Sequence, residues 1–171
     1  MEKLKNYIRS IPDFPKKGIL FRDITTLIKN KEAFKEAIDK MASLIKDKEV
    51  SLILGIESRG FIFAAPLAYK LGIPLNIIRK PGKLPASTLC ESYSLEYGEN
   101  KIEIHKDAVK EGDRVIICDD LLATGGTALA GARLVERLGG KIATFLFLIE
   151  LTDLKGREKL KDYSVETVIK F

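Results

Sequence analysis

Val115-Ile-Ile-Cys-Asp-Asp-Leu-Leu-Ala-Thr-Gly-Gly-Thr127 decides how this chain is read. Its first four residues are an unbroken apolar run with β-branched members, which suits a strand buried on both faces of a parallel sheet. Asp119 and Asp120 end that run. Adjacent side chains of a strand point to opposite faces, so the two carboxylates meet one ligand only where the chain leaves the sheet, at the strand's carboxyl end. Ala123, Thr124, Gly125, Gly126 and Thr127 then supply hydroxyls and two residues that tolerate positive φ. Ala128, Leu129, Ala132, Val135 and Leu138 follow at helical spacing. A helix start presents free N–H groups and a positive dipole end of about half a charge, and the natural occupant is a phosphate.

The two glycines alone would be ordinary turn punctuation. Strand, paired acids, loop hydroxyls and helix agree with one another, and that agreement points to a site. A phosphate on the loop with carboxylates beside it implies a phosphorylated molecule that also has hydroxyls to hold. A phosphoribosyl group meets both demands.

Outward from this stretch, strands and helices alternate. Ser51 to Gly55 predicts the first parallel strand, followed by the corner Glu57-Ser58-Arg59-Gly60 and a helix from Phe61 to Leu71 that Gly72 ends. The Gly55 to Gly60 spacing mimics a nucleotide P-loop, but Phe61-Ile62 stands where Lys and Ser/Thr are required, which excludes a Walker-type site. Leu75 to Ile78 predicts a second strand running into the cations Arg79, Lys80 and Lys83. Tyr93, Leu95 and Tyr97 alternate, as do Ile102 and Ile104, with Gly98-Glu-Asn100 between them, so a hairpin with one apolar face is expected there. Gly139-Gly140 ends the central helix, Lys141 to Ile149 holds another buried strand, Thr152 to Asp162 is charged and helical in part, and Val165 to Phe171 alternates like an edge strand. Upstream, Asn30 caps a helix whose Phe34, Ala37, Ile38, Met41, Leu44 and Ile45 make one apolar face. Leu4, Tyr7, Ile8 and Ile11 predict a short opening helix stopped at Pro12. The loop after it ends in Ile19-Leu20-Phe21, and the residues leave open whether it sandwiches a flat base or plugs the sheet. The pattern is that of an α/β fold, an open, mostly parallel twisted sheet flanked by helices, with ligands at the strands' carboxyl ends.

At 171 residues the chain is expected to be one domain with a real core. A composition 46% hydrophobic and 31% charged excludes disorder. The net charge of +5 suits an anionic substrate; nucleic acid is disfavoured because the cations are scattered among 24 acids and no helix carries a basic stripe. Cys90, Cys118 and His105 are too few for a zinc site, and the cysteines imply a reducing compartment. With no signal-like or membrane-length apolar run, no membrane partner is expected and the cytoplasm is the expected location.

The Val115–Thr127 stretch resembles the phosphoribosyl pyrophosphate-binding motif of the type I phosphoribosyltransferases, and its Leu121-Leu-Ala-Thr-Gly-Gly-Thr127 form resembles the adenine-using branch of that family. Asp13-Phe-Pro-Lys-Lys-Gly-Ile-Leu-Phe-Arg-Asp-Ile24, Glu57-Ser-Arg-Gly60, Arg79-Lys-Pro-Gly-Lys-Leu-Pro85, Ser94-Leu-Glu-Tyr-Gly98 and Glu150-Leu-Thr-Asp-Leu-Lys-Gly-Arg-Glu-Lys-Leu160 extend the likeness over nearly the whole chain. Lys17 and Thr26 depart from it where prolines are common. The resemblance implies transfer of a phosphoribosyl group from phosphoribosyl pyrophosphate to adenine, with Mg2+ carried by the phosphoribosyl pyrophosphate and no direct protein ligand. It implies a homodimer, a mobile lid hairpin over 81–105 and an N-terminal hood over 1–24. It assigns Asp119 and Asp120 to the ribose hydroxyls and Ala123, Thr124, Gly125, Gly126 and Thr127 to the 5-phosphate. Glu57, Ser58, Arg59, Arg79, Lys80 and Lys83 are assigned to the pyrophosphate. Leu20, Phe21, Arg22 and Leu121 are assigned to adenine, partly through backbone groups, with Glu96 as acid/base and Arg59 among the catalytic residues. Rival readings are a ligand-sensing regulator that binds nucleic acid, which would have no use for a lid acid, and an enzyme for oxopurines or orotate.

Overall fold

The computed structural model describes residues 2–95 and 98–171. A one-turn helix, α1 (Glu2–Lys5), leads into a small antiparallel pair, β1 (Arg9–Ile11) and β2 (Phe21–Asp23). Helices α2 (Thr25–Lys29) and α3 (Lys31–Ile45) follow, and Asn30 caps α3 by accepting from the N–H groups of Glu32 and Ala33. Next come β3 (Leu52–Ile56), α4 (Arg59–Leu71) and β4 (Leu75–Ile78), with Gly72 left-handed at φ 64° closing α4. A hairpin, β5 (Thr88–Leu95) and β6 (Gly98–His105), precedes β7 (Arg114–Leu122), α5 (Gly126–Arg137) and β8 (Lys141–Glu150). A 3-10 turn (Thr152–Leu154), α6 (Gly156–Lys159) and β9 (Val165–Lys170) complete the order.

The main sheet is parallel in the order β4-β3-β7-β8-β9, so the strand carrying the motif is central and β9 is an edge, as its alternation predicts. Both sheet faces are covered. Ile53, Ile116 and Cys118 pack with α3 and α4, while Leu54, Val115, Ile117 and Phe145 pack with α5 and the hairpin's Ile102 and Ile104. That two-sided burial is why the motif strand is apolar without alternation. The hairpin is fastened at two places: Arg79, just past β4, exchanges backbone hydrogen bonds with Glu103, and Glu91 pairs with Arg133 and Arg137 of α5.

Three expectations change. The opening helix covers only Glu2–Lys5, because Arg9–Ile11 finds a strand partner in Phe21–Asp23; Leu4 and Ile8 are still buried, as the spacing implied. Pairing in the hairpin runs to Leu95↔Gly98, which places Gly98 to Asn100 within a strand rather than in the turn. The strand β7 continues through both acids to Leu122, since β8 offers it pairing as far as Glu150. Asp120 is therefore buried, at 3% exposure, and does not lie beyond the buried part of the strand.

Candidate active site

At the carboxyl ends of β3 and β7 the backbone approaches itself closely. Gly60 lies at the start of α4, and a Cβ there would stand 2.8 Å from the Cys118 carbonyl and 2.9 Å from Asp119 Oδ1. Glycine lets the helix start rest directly on the end of β7. Arg59, one residue earlier, consequently reaches across, with its Nε 3.0 Å from Asp120 Oδ2 and its guanidinium 5.3 Å from the centre of the Phe21 ring. Phe21 is itself held edge-on by Phe14 at 5.1 Å.

The acids share one corner, where the Asp120 N–H donates to Asp119 Oδ1 at 2.8 Å. Burial and the neighbouring Asp120 charge push the Asp119 carboxyl well above the usual carboxylate range. Burial pushes Asp120 up too, opposed by Arg59. Asp120 Oδ2 is buried and accepts no hydrogen bond among the described residues. The Arg59 guanidinium supplies the cation that such a buried acceptor calls for.

Glu57 organises the cations. Its carboxylate lies 3.2 Å from Arg79 and 3.1 Å from Lys83, and it accepts the Lys80 N–H at 2.8 Å. Burial would raise its pKa, but these three donors outweigh burial and hold it at about 2. The loop after β4 is thus shaped around an anionic post, with the exposed Lys80 lining the cleft.

Three adjoining cavities share Asp119. One of about 360 Å³ is lined by Phe21, Glu57, Ser58, Arg59, Lys80 and Asp120. A second of about 440 Å³ lies under the hairpin, between Lys80 and Pro81 on one side and Tyr93, Lys101 and Thr127 on others. The third, about 70 Å³, is the cradle formed by Leu121 to Thr127. In it Gly125 is left-handed at φ 77°, whereas Gly126 already opens α5, so the conformational demand falls on Gly125.

The structure thus brings together Phe21, Glu57, Ser58, Arg59, Lys80, Asp119 and Asp120, and sets Ala123, Thr124, Gly125, Gly126 and Thr127 beside them. Arg79 and Lys83 reach the group through Glu57. Leu121 lines the cradle, not the Phe21 cleft. Leu20 is half-exposed and lines none of the three cavities, and the Arg22 side chain turns away to lie 3.9 Å over the Phe171 ring. Glu96 lies outside the described residues. Gly60 went unassigned as a packing residue although it stands in the quoted corner, and Tyr93 and Lys101 were missed because alternation shows a hairpin face without showing which cavity it covers.

A phosphoribosyl transferase domain matches residues 24–171. The adenine phosphoribosyltransferase of Clostridium kluyveri is 56% identical over 168 residues, 98% of each chain. The chain belongs to the adenine phosphoribosyltransferase family. Among solved structures of that family, the enzyme of Thermoanaerobacter pseudethanolicus superposes with a TM-score of 0.98 at 55% identity over 99% of both chains. The adenine phosphoribosyltransferase of Saccharomyces cerevisiae, complexed with D-2,5-dideoxy-2,5-imino-altritol 1,6-bisphosphate and adenine, gives a TM-score of 0.91 at 39% identity over 98% of this chain and 97% of that one. The sheet, its helices and the separate hairpin are thus those of the type I phosphoribosyltransferase fold.

Proposed function

We infer that this chain transfers the 5-phosphoribosyl group of phosphoribosyl pyrophosphate to adenine, giving AMP and pyrophosphate. The bond from the anomeric carbon to the pyrophosphate oxygen breaks, the bond to the adenine imidazole nitrogen forms, and that nitrogen gives up its proton. The observation that carries the reading is the position of Asp119, which borders all three cavities. A ribose bound there has its 5-phosphate in the Ala123–Thr127 cradle, its base beside Phe21, and its leaving group toward Lys80.

The transition state carries positive charge on the sugar, so catalysis consists of orientation and electrostatic stabilisation. Asp119 and Asp120 hold the ribose hydroxyls and face the developing cation. Lys80, with Arg79 and Lys83 set by Glu57, and with Ser58 and Arg59 alongside, neutralises the departing pyrophosphate. Phe21 stacks on the adenine ring, and Leu20 and Arg22 contribute backbone groups at its edge. Glu96 takes the adenine proton.

Mg2+ would enter as a companion of the substrate. Among the described residues no group of three or more His, Cys, Asp or Glu side chains is placed to hold a metal. The Asp119 and Asp120 carboxylates, the second already paired with Arg59, are the hard oxygen donors that would face such an ion through water. Bound with the phosphoribosyl pyrophosphate, Mg2+ offsets charge on the leaving group. The 81–105 hairpin acts as a lid and the 1–24 segment as a hood on one domain, and a cytoplasmic homodimer is the working form. No helix among the described residues is long and apolar enough to cross a membrane.

The deciding assay follows radiolabelled adenine into AMP with and without phosphoribosyl pyrophosphate and Mg2+, with hypoxanthine and guanine as competitors. Product that requires both additions and is specific to adenine is expected. Equal efficiency on an oxopurine would remove the base assignment, and no transfer to any base would remove the reaction.

A further inference from the structure

The stretch Glu150 to Leu160 contributes no residue to the three cavities, yet it lies against the outer side of the phosphate cradle. A Cβ on Gly156 would stand 2.1 Å from the Ala123 carbonyl oxygen, and a Cβ on Gly125 would stand 2.6 Å from the Gly156 carbonyl oxygen. Two backbone segments meet here with no room for a methyl group on either. The second segment is rigidly placed. Arg157 grips Glu150 with a two-pronged fork, Nε to Oε1 at 3.0 Å and Nη2 to Oε2 at 2.7 Å. Its Nη1 donates to the Val165 carbonyl at 2.8 Å, and Thr167 donates to Glu150 Oε2 at 3.0 Å. The Leu151 N–H donates to the Leu122 carbonyl at 2.9 Å, closing the gap immediately before the cradle. Arg157 and Thr167 hold the nearly buried Glu150 carboxyl below the usual carboxylate range, against the effect of burial, so the fork stays charged at neutral pH.

We propose that Gly156 and Arg157, anchored on Glu150, are positioning residues that set the shape of the Ala123–Thr127 cradle and thereby the affinity for the 5-phosphate end of phosphoribosyl pyrophosphate. The inference rests on the functional reading above. None of the three touches substrate. They act by fixing the backbone on which the cradle's N–H groups are mounted, and an anion held by several such groups is sensitive to small displacements of all of them. A fork that merely stabilised the fold would not distinguish one substrate from the other.

The test uses the full chain, with Gly156→Ala and Arg157→Lys compared with the unchanged protein for KM of each substrate and for AMP affinity by calorimetry. Lysine keeps the charge but loses the planar fork. Gly156→Ala is expected to raise the KM for phosphoribosyl pyrophosphate and the Kd for AMP by roughly tenfold or more, leaving the KM for adenine where it was. Arg157→Lys should move the same two constants in the same direction by less. Unchanged phosphoribosyl pyrophosphate and AMP constants in folded Gly156→Ala, or an equal rise in both KM values, would overturn the proposal. If Gly156→Ala does not fold, Arg157→Lys decides it alone by the same criterion. Failure of the unchanged chain to make AMP is a separate result, which would remove the functional reading and this proposal with it.

Discussion

The guanidinium of Arg59, the first residue of α4, lies 3.0 Å from Asp120 and is the counter-charge to a carboxylate buried to 3% exposure. Removing one partner of such a pair leaves the other stranded. Arg59→Leu is expected to destabilise the fold by about 1–3 kcal/mol, and Arg59→Leu combined with Asp120→Asn to recover part of the loss. Urea denaturation at pH 7.5 measures both; a double variant no more stable than Arg59→Leu would show that the pair is not coupled.

Asp119→Asn should separate activity from stability. Loss of a carboxylate facing the developing sugar cation costs on the order of 3 kcal/mol in the barrier, about a hundredfold in turnover. The folded-state pKa of Asp119 lies above its ordinary value of 3.8, so ionising it opposes folding, and the stability present at low pH is lost as pH rises through the folded pKa. The variant is therefore expected to melt at or above the temperature of the unchanged protein at pH 7.5, with the difference closing toward pH 4. A variant of normal turnover would dismiss the catalytic role.

Glu57 has the reverse sign. Its folded pKa of about 2 lies below the ordinary 4.5, so its contribution to stability is complete above 4.5 and lost as pH falls toward 2. Glu57→Gln should flatten the loss of stability across that window, and denaturation midpoints at pH 5 and pH 3 provide the comparison. The same loss in both proteins would mean that the cations around Glu57 do not couple to folding.

Phe21→Ala tests the base cleft. Stacking of a base on an aromatic ring is worth about 1–3 kcal/mol, so the KM for adenine should rise by about tenfold or more. Preference for adenine over hypoxanthine should persist, because main-chain groups at the base edge would make the distinction. Steady-state kinetics with both bases measures the two effects; a variant that accepts hypoxanthine equally would give the choice to the ring instead.

Local pattern in the sequence carried the sheet, its order of strands and helices, and the glycine loop that opens α5, because unbroken apolar runs, caps and glycine stops are written in consecutive residues. What it missed depends on contacts between distant segments. Ile11 fits the spacing of a helix, but Phe21 lies across from it and makes a strand. Asp119 and Asp120 look like the end of a strand until β8 pairs beyond them. Arg22 and Phe21 are neighbours in the chain, yet only Phe21 lines the cleft. The partner of Gly125 is Gly156, and nothing near either glycine announces the other.

The central place of β7 also matters while the chain is being made. Leu52 to Gly55 can pair with one side of it as soon as it emerges, but the other side waits for β8. Until Lys141–Glu150 has been synthesised, Val115 to Cys118 forms an apolar strand with an open hydrogen-bonding edge, the kind of surface on which nascent chains join one another. The short stretch of α5 and Gly139-Gly140 between the two strands limits how long that edge stays uncovered. The strand that bears Asp119 and Asp120 is therefore also exposed to misassembly during translation, and a chain interrupted within α5 would be prone to aggregate.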